Sequence, residues 1–145
     1  MKSSIAAFTR LAELRTGQVR QLLGRVKHQQ RLCQRYRDNI GALNRLCGFG
    51  ASIHTAVQRH NHQQYKATLH RMINLQTREL ALAEQTLERM RRQMLQAMCG
   101  EKAVLQALAS KVQEWQTLLG RQEQKLQDGL GAQAWWQAQL KKTGR

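Results

Sequence analysis

Proline is absent from all 145 residues. It breaks helix interiors and shapes loops, so a chain without it favours long, uninterrupted helices. Aromatic residues are scarce too: two Phe, two Tyr and three Trp. Val and Ile are few, which argues against a β-rich core, because strands draw on β-branched and aromatic side chains. Acidic residues number nine against 24 Lys and Arg, a net charge of +15, and none lies between Asp38 and Glu79. That imbalance favours an acidic partner surface: nucleic acid, anionic lipid or an acidic protein. No apolar run approaches the roughly 18 residues needed to span a bilayer. The three cysteines, Cys33, Cys47 and Cys99, have no metal-ligand spacing, and their odd number suits free thiols in a reducing cytosol.

What is present is Gln, Arg, Leu and Ala, all good helix formers, laid out with a strong period. Steps of three and four from Ile5 visit Phe8, Ala12, Arg15, Val19, Leu22, Val26, Gln29, Cys33, Tyr36, Ile40 and Leu43, and ten of these twelve positions are apolar. A second stripe reads Leu69, Ile73, Gln76, Leu80, Ala83, Leu87, Met90, Met94, Ala97, Glu101, Val104 and Leu108, again with ten of twelve apolar. A seam this narrow is the a/d line of a coiled coil, whose partner is another helix. A helix lying on a globular core shows a wider stripe. After Leu108 the seam slips by one residue to Val112, Trp115, Leu119 and Leu126, which alters the supercoil locally or ends the paired region.

Gly48 and Gly50 bracket a turn, with Ser52 as a candidate N-cap. The expected fold is all-α: one domain of 1–145, an antiparallel two-helix coiled-coil hairpin with a longer second helix. Helix 1 covers about 4–46, the turn 47–52, and helix 2 runs from 53 or 64 to 128, residues 53–62 reading as poor or short helix. Gly129 and Gly131 loosen its end, so that "AWWQAQLKK" (134–142) is a last helical turn or two, or a frayed tail of 129–145. The short link forces the helices antiparallel. At 1.5 Å per residue they span roughly 60 and 95 Å. Pairing outward from the turn puts Ile5 near residue 100 and leaves the last thirty or so residues of helix 2 projecting. The Arg-rich, nearly acid-free opening has a transit-peptide composition, but its apolar spacing continues in phase past residue 26, as a removable leader's would not.

These residues carry little chemistry. His54, His60, His62 and His70 lack nearby Cys and do not share one face, so they read as solvated side chains rather than a closed metal site. There is no phosphate loop, no nucleophile motif and no convincing carboxylate pair, so no catalytic residue, metal or cofactor is expected. Arg10, Arg15, Arg20, Arg25, Arg31 and Arg35 recur at five- and six-residue steps and wind around the helix. A basic-zipper reader separates its basic region from its zipper; this chain does not, and no nucleic acid is expected. Trp135 and Trp136 beside Lys141 and Lys142 could anchor a membrane surface, but a two-residue aromatic pair is weak evidence for that, and partner docking or hairpin end-packing fits it better.

The stretches "QRYRDNI" (34–40) and "HQQYKATLHRMINLQ" (62–76), the glycine turn at 48–50 and the long Gln- and Arg-rich second helix resemble the FliJ family of flagellar export proteins, over roughly residues 8–128. The low acidic content and the tandem tryptophan depart from that family's pattern. The resemblance implies a cytoplasmic stalk, peripheral at the cytoplasmic face of the inner membrane. It would bind a hexameric type III export ATPase much as the γ subunit sits in a rotary ATPase, link it to an FlhA-like export gate, and hand on export chaperones. It also implies a gate contact near the turn at Leu32, Tyr36, Tyr65, Leu69, Met72 and Gln76. Of these, Tyr36 and Leu69 also lie on the seam, whereas Leu32 and Tyr65 lie off it. For the ATPase, hairpin geometry offers Arg10, Leu11 and Leu14, and the stretch Trp115 to Leu126, including Leu119. The residues leave two alternatives open: the equivalent stalk of a virulence injectisome, and a basic coiled coil that binds nucleic acid or membrane.

Overall fold

The structure, a computed structural model, describes residues 1–49 and 55–144. Gly50, Ser52 and His54 lie outside the described residues, so the expected turn glycine and N-cap are not placed. Two helices make up the chain, α1 (Lys2–Gly48) and the longer α2 (Ala56–Thr143), packed against each other. No strand occurs among the described residues.

Both ends of α2 differ from the sequence expectation. The helix begins at Ala56 because Thr55 and Gln58 form a capping box. The Gln58 backbone N–H donates to Thr55 Oγ1 at 3.1 Å, and the Thr55 N–H donates to Gln58 Oε1 at 3.1 Å. Two orphan donors are satisfied reciprocally, which offsets the poor helix propensity of the His- and Asn-rich residues that follow. At the other end α2 does not stop at 128 but runs through Gly129 and Gly131 to Thr143. Each glycine costs about 1 kcal/mol against alanine in a helix interior. Flanking Leu, Gln and Ala, with no proline to force a break, outweigh that cost.

The chain divides into two compact units. In the unit formed by Gly17–Cys99, three contacts fix direction and register. Gln29 Nε2 donates to the Ala83 carbonyl at 3.0 Å, Arg37 pairs with Glu84 at 2.9 Å, and Asn39 Nδ2 donates to Gln76 Oε1 at 3.4 Å. From Gln29 opposite Ala83 to Asn39 opposite Gln76, higher numbers on α1 meet lower numbers on α2, so the two segments are antiparallel, with the long Arg37 side chain reaching back to Glu84. Val26, Cys33, Ala83 and Leu87 form the buried core, with Tyr36, Leu80, Met90 and Met94 packed against it. Gln29 is the buried polar residue of this seam. Its amide would lose water with no return unless hydrogen-bonded, and Ala83 accepts that bond in one alignment only.

In the unit formed by Met1–Thr16 and Gly100–Arg145, the two segments are antiparallel as well. Lys2 Nζ lies 5.9 Å from the Trp115 ring centre, and Lys111 Nζ lies 5.3 Å from that of Phe8. Ala12 is buried, and the Arg15 guanidinium passes 3.9 Å from where a Cβ on Gly100 would stand. Ile5, between Lys2 and Phe8, therefore lies opposite residues 111–115 rather than near residue 100. Pairing does not start at the glycines: Thr55–Asn61 are all exposed, so the opening turns of α2 are spent before any residue of α2 turns inward. Where the stripe slips, Ala107, Leu108, Lys111 and Val112 are all half-buried. The covered track is two residues wide there, and it ends with Trp115. Beyond it, Gln116–Ala138 are exposed at every position.

Leu87 is the largest aliphatic side chain of the core cluster, and Leu87→Ala is expected to cost about 2–4 kcal/mol. The thermal midpoint by circular dichroism should fall clearly; an unchanged midpoint would mean that the seam does not hold the helices together. Gln29→Leu should keep or raise the midpoint while loosening register, as apolar replacements of seam polar residues do. Disulfide trapping between cysteines placed at matched and heptad-shifted positions checks the register.

Candidate functional site

With the a/d positions turned inward, an antiparallel pair has two flanks. In the Gly17–Cys99 unit one flank is polar: Gln30, Gln34 and Arg37 from α1 face Glu84, Glu88 and Arg91 from α2 across a shallow groove. The Arg37–Glu84 pair on this flank is about half exposed, and such a pair contributes only about 0.5 kcal/mol. The other flank is more apolar. A groove there is lined by Asn39, Ala42, Leu43, Met72 and Gln76.

The six residues expected at the gate contact divide between core and surface. Leu69 is 4% exposed and belongs to the seam. Tyr36 packs on the core cluster, and Leu32 is half-buried beside Cys33, so it is less free than its off-seam position implies. Gln76 is half-buried and holds Asn39. Tyr65 and Met72 stand out from the surface, 49% and 45% exposed. The set is not one compact patch. The Gln29–Ala83 bond places Leu32 level with residues near 80, about 22 Å along α2 from Tyr65 at 1.5 Å per residue. Leu46, 41% exposed, was missed. It lies two heptads after Leu32 on the same side of α1, and that spacing was the signal that could have found it.

In the Met1–Thr16 and Gly100–Arg145 unit, Arg10, Leu11 and Leu14 are all exposed, Leu14 at 60% against 37% for Leu11. Trp115 is half-buried beneath Lys2, whereas Leu119 and Leu126 are exposed. The stripe does not end with them. Leu130, Trp136 and Leu140 are exposed too, and Leu140 stands three heptads past Leu119, as Trp136 does past Trp115. The line that pairs with α1 up to Trp115 thus runs on unpaired along α2 through Leu119, Leu126, Trp136 and Leu140, with polar or glycine gaps at Gln122, Gly129 and Gln133, for roughly seven turns at 3.6 residues per turn. Trp135 and Trp136 meet edge to face, ring centres 5.6 Å apart. The sequence singled out Trp135 and Trp136, but not Leu130 and Leu140, because the expected helix ended at 128.

Among the described residues no three His, Cys, Asp or Glu side chains converge as a metal site. Cys33 is buried, Cys47 half-buried and Cys99 exposed, all as free thiols. No helix of the described residues is long and apolar enough to cross a membrane. The arrangement offers docking faces rather than an enclosed pocket.

The family model for the flagellar FliJ protein matches residues 4–140, nearly the whole chain and well into the bare end of α2. The chain belongs to the FliJ family. It is therefore a flagellar export-related protein, and the family is a non-enzymatic component of that export. Neither a curated protein nor a solved structure shows a significant match.

Because residues 116–138 bury nothing against α1, shortening this FliJ-family chain after Thr117 should remove helical ellipticity in proportion to the residues lost. The thermal midpoint of the remainder should stay unchanged. A clear fall in the midpoint would show that the tail folds back on the pair.

Proposed function

We propose that this FliJ-family protein is a stalk of the flagellar export machinery that engages the hexameric export ATPase and couples it to the FlhA-like export gate. The observation that carries this reading is the bare continuation of the α2 seam beyond Trp115, beside the exposed Leu11 and Leu14 of α1. A helix whose apolar line outlasts its partner has an unfilled docking face, and a single helix is narrow enough to enter the hole of a ring. Arg10, Leu11, Leu14, Leu119 and Leu126 make the ATPase contact, extended by Leu130, Trp136 and Leu140; Trp115 closes the paired region behind them.

The gate contact falls on the apolar flank of the other unit, through Tyr65 and Met72 with Leu46. Leu32, Tyr36, Leu69 and Gln76 shape that flank from beneath. Export chaperones are passed along the same apparatus, which places the protein at the cytoplasmic face of the inner membrane. The match to a flagellar family model favours the flagellar system over the injectisome.

Two surface substitutions test the two contacts separately. Leu126 is 68% exposed, so Leu126→Asp should leave the thermal midpoint unchanged. It should weaken ATPase binding and ring stimulation by roughly tenfold, the loss of one buried leucine. Tyr65→Ala should reduce binding to the gate's cytoplasmic region and leave ATPase binding intact. Undiminished ATPase stimulation by Leu126→Asp and by a Leu119→Asp companion would remove the stalk reading. Tight heparin or DNA binding with no ATPase effect would replace it with a phosphate binder, recognised by its steep loss of affinity with salt.

A further inference from the structure

The charge of this chain is unevenly placed. Between Asp38 and Glu79 there is no acidic residue, yet Arg45, Arg59, Lys66, Arg71 and Arg78 lie there, with His60, His62 and His70. The ion pairs of this unit lie outside that stretch, Arg37 with Glu84 at 2.9 Å and Arg92 with Glu88 at 3.5 Å. Among the described residues the five cations of the acid-free stretch make no ion pair.

The same end presents exposed apolar side chains. Phe49 is 72% exposed and Val57 is 69% exposed, the two highest values among the described large hydrophobic residues. Phe49 directly follows α1, and Val57 is the second residue of α2. The residues around Val57, Thr55–Asn61, are exposed throughout, so no packing in the unit covers them. The end is therefore an uncovered apolar pair within a field of unneutralised positive charge.

An occupant must accept apolar side chains without offering a shaped pocket, and it must be negative over an area wide enough for several cations. Nucleic acid supplies the charge, but it receives an apolar side chain only between base steps that must first be unstacked. A bilayer with anionic headgroups supplies both: phosphates at the surface and an apolar layer just beneath. We propose that this end of the Gly17–Cys99 unit docks on an anionic lipid bilayer surface, with Phe49 and Val57 entering the headgroup layer and Arg45, Arg59, Lys66 and Arg71 neutralising lipid phosphates. Lys66 and Arg71 adjoin Tyr65 and Met72 of the gate flank, whereas Arg45, Phe49, Val57 and Arg59 do not, and these turn-end residues carry the separate test.

Co-sedimentation of the full chain with vesicles tests it. Vesicles of phosphatidylcholine containing about a third phosphatidylglycerol should bind the protein, and phosphatidylcholine alone should not. Binding should weaken from roughly 50 to 200 mM salt, because the attraction is screened within a Debye length. Arg45→Glu with Arg59→Glu should reduce partition onto the anionic vesicles by roughly tenfold or more. Phe49→Asp with Val57→Asp should do likewise, both pairs keeping the helical signal and thermal midpoint of the parent. Tyr65→Ala should leave vesicle binding unchanged, which separates this site from the gate contact. Three results would overturn the proposal: equal binding to neutral vesicles, loss of binding on Trp136→Ser with Lys141→Glu and Lys142→Glu but not on the turn-end pairs, or absence of vesicle binding alongside duplex DNA binding that only the charge reversals abolish.

Discussion

The structure depends on one narrow apolar line per helix closing against the other. Two helices have no third layer to bury against, so each residue on the line is shielded by a few neighbours only. Among the described residues six apolar ones are buried: Ala12, Val26, Cys33, Leu69, Ala83 and Leu87. With a core that small, stability comes from many half-buried positions acting together. Polar seam residues are tolerated only where a partner is at hand, as for Gln29 on the Ala83 carbonyl. Everything off the line is free to carry function.

That freedom explains how docking faces are distributed. Where both helices supply the seam, the flanks are left for recognition, one polar around Arg37 and Glu84, the other apolar around Met72 and Leu46. Where α1 has ended, the seam of α2 is itself exposed from Leu119 to Leu140. The same heptad line is thus core in one stretch and bare surface in another. The change comes at Trp115, where Lys2 covers the indole face and Lys111 covers Phe8. Long cationic side chains laid over aromatic rings suit such a boundary, because their stems shield apolar surface while the charge stays in water.

Much of this was legible in the residues. The seam positions of both helices, the all-helical fold, the antiparallel sense and the kinship suggested by "QRYRDNI" and "HQQYKATLHRMINLQ" all follow from period and composition, and the family match covers residues 4–140. The start of α2 was misjudged although "TAVQ" (55–58) has the spacing of a capping box. His and Asn in the following turn drew the reading toward a break. The end of α2 was misjudged because two glycines were weighed as a stop when their cost is only about 1 kcal/mol each. The candidate contact residues were harder, since an apolar residue beside a seam reads alike whether it is half-covered, as Leu32 is, or exposed, as Tyr65 is.

By itself the sequence determined that two long helices would form, which line of each would face inward, and that one stretch between Asp38 and Glu79 would carry cations and no acids. It did not determine how far one helix is slid along the other. A heptad pattern looks the same after a shift of seven residues, so every apolar side chain stays inward in several alignments of similar burial. Only the tertiary structure chose among them, through Gln29 reaching Ala83, Asn39 reaching Gln76 and Lys2 reaching Trp115. That choice moved the partner of Ile5 by about two heptads and thereby decided which turns of α2 are left uncovered at either end.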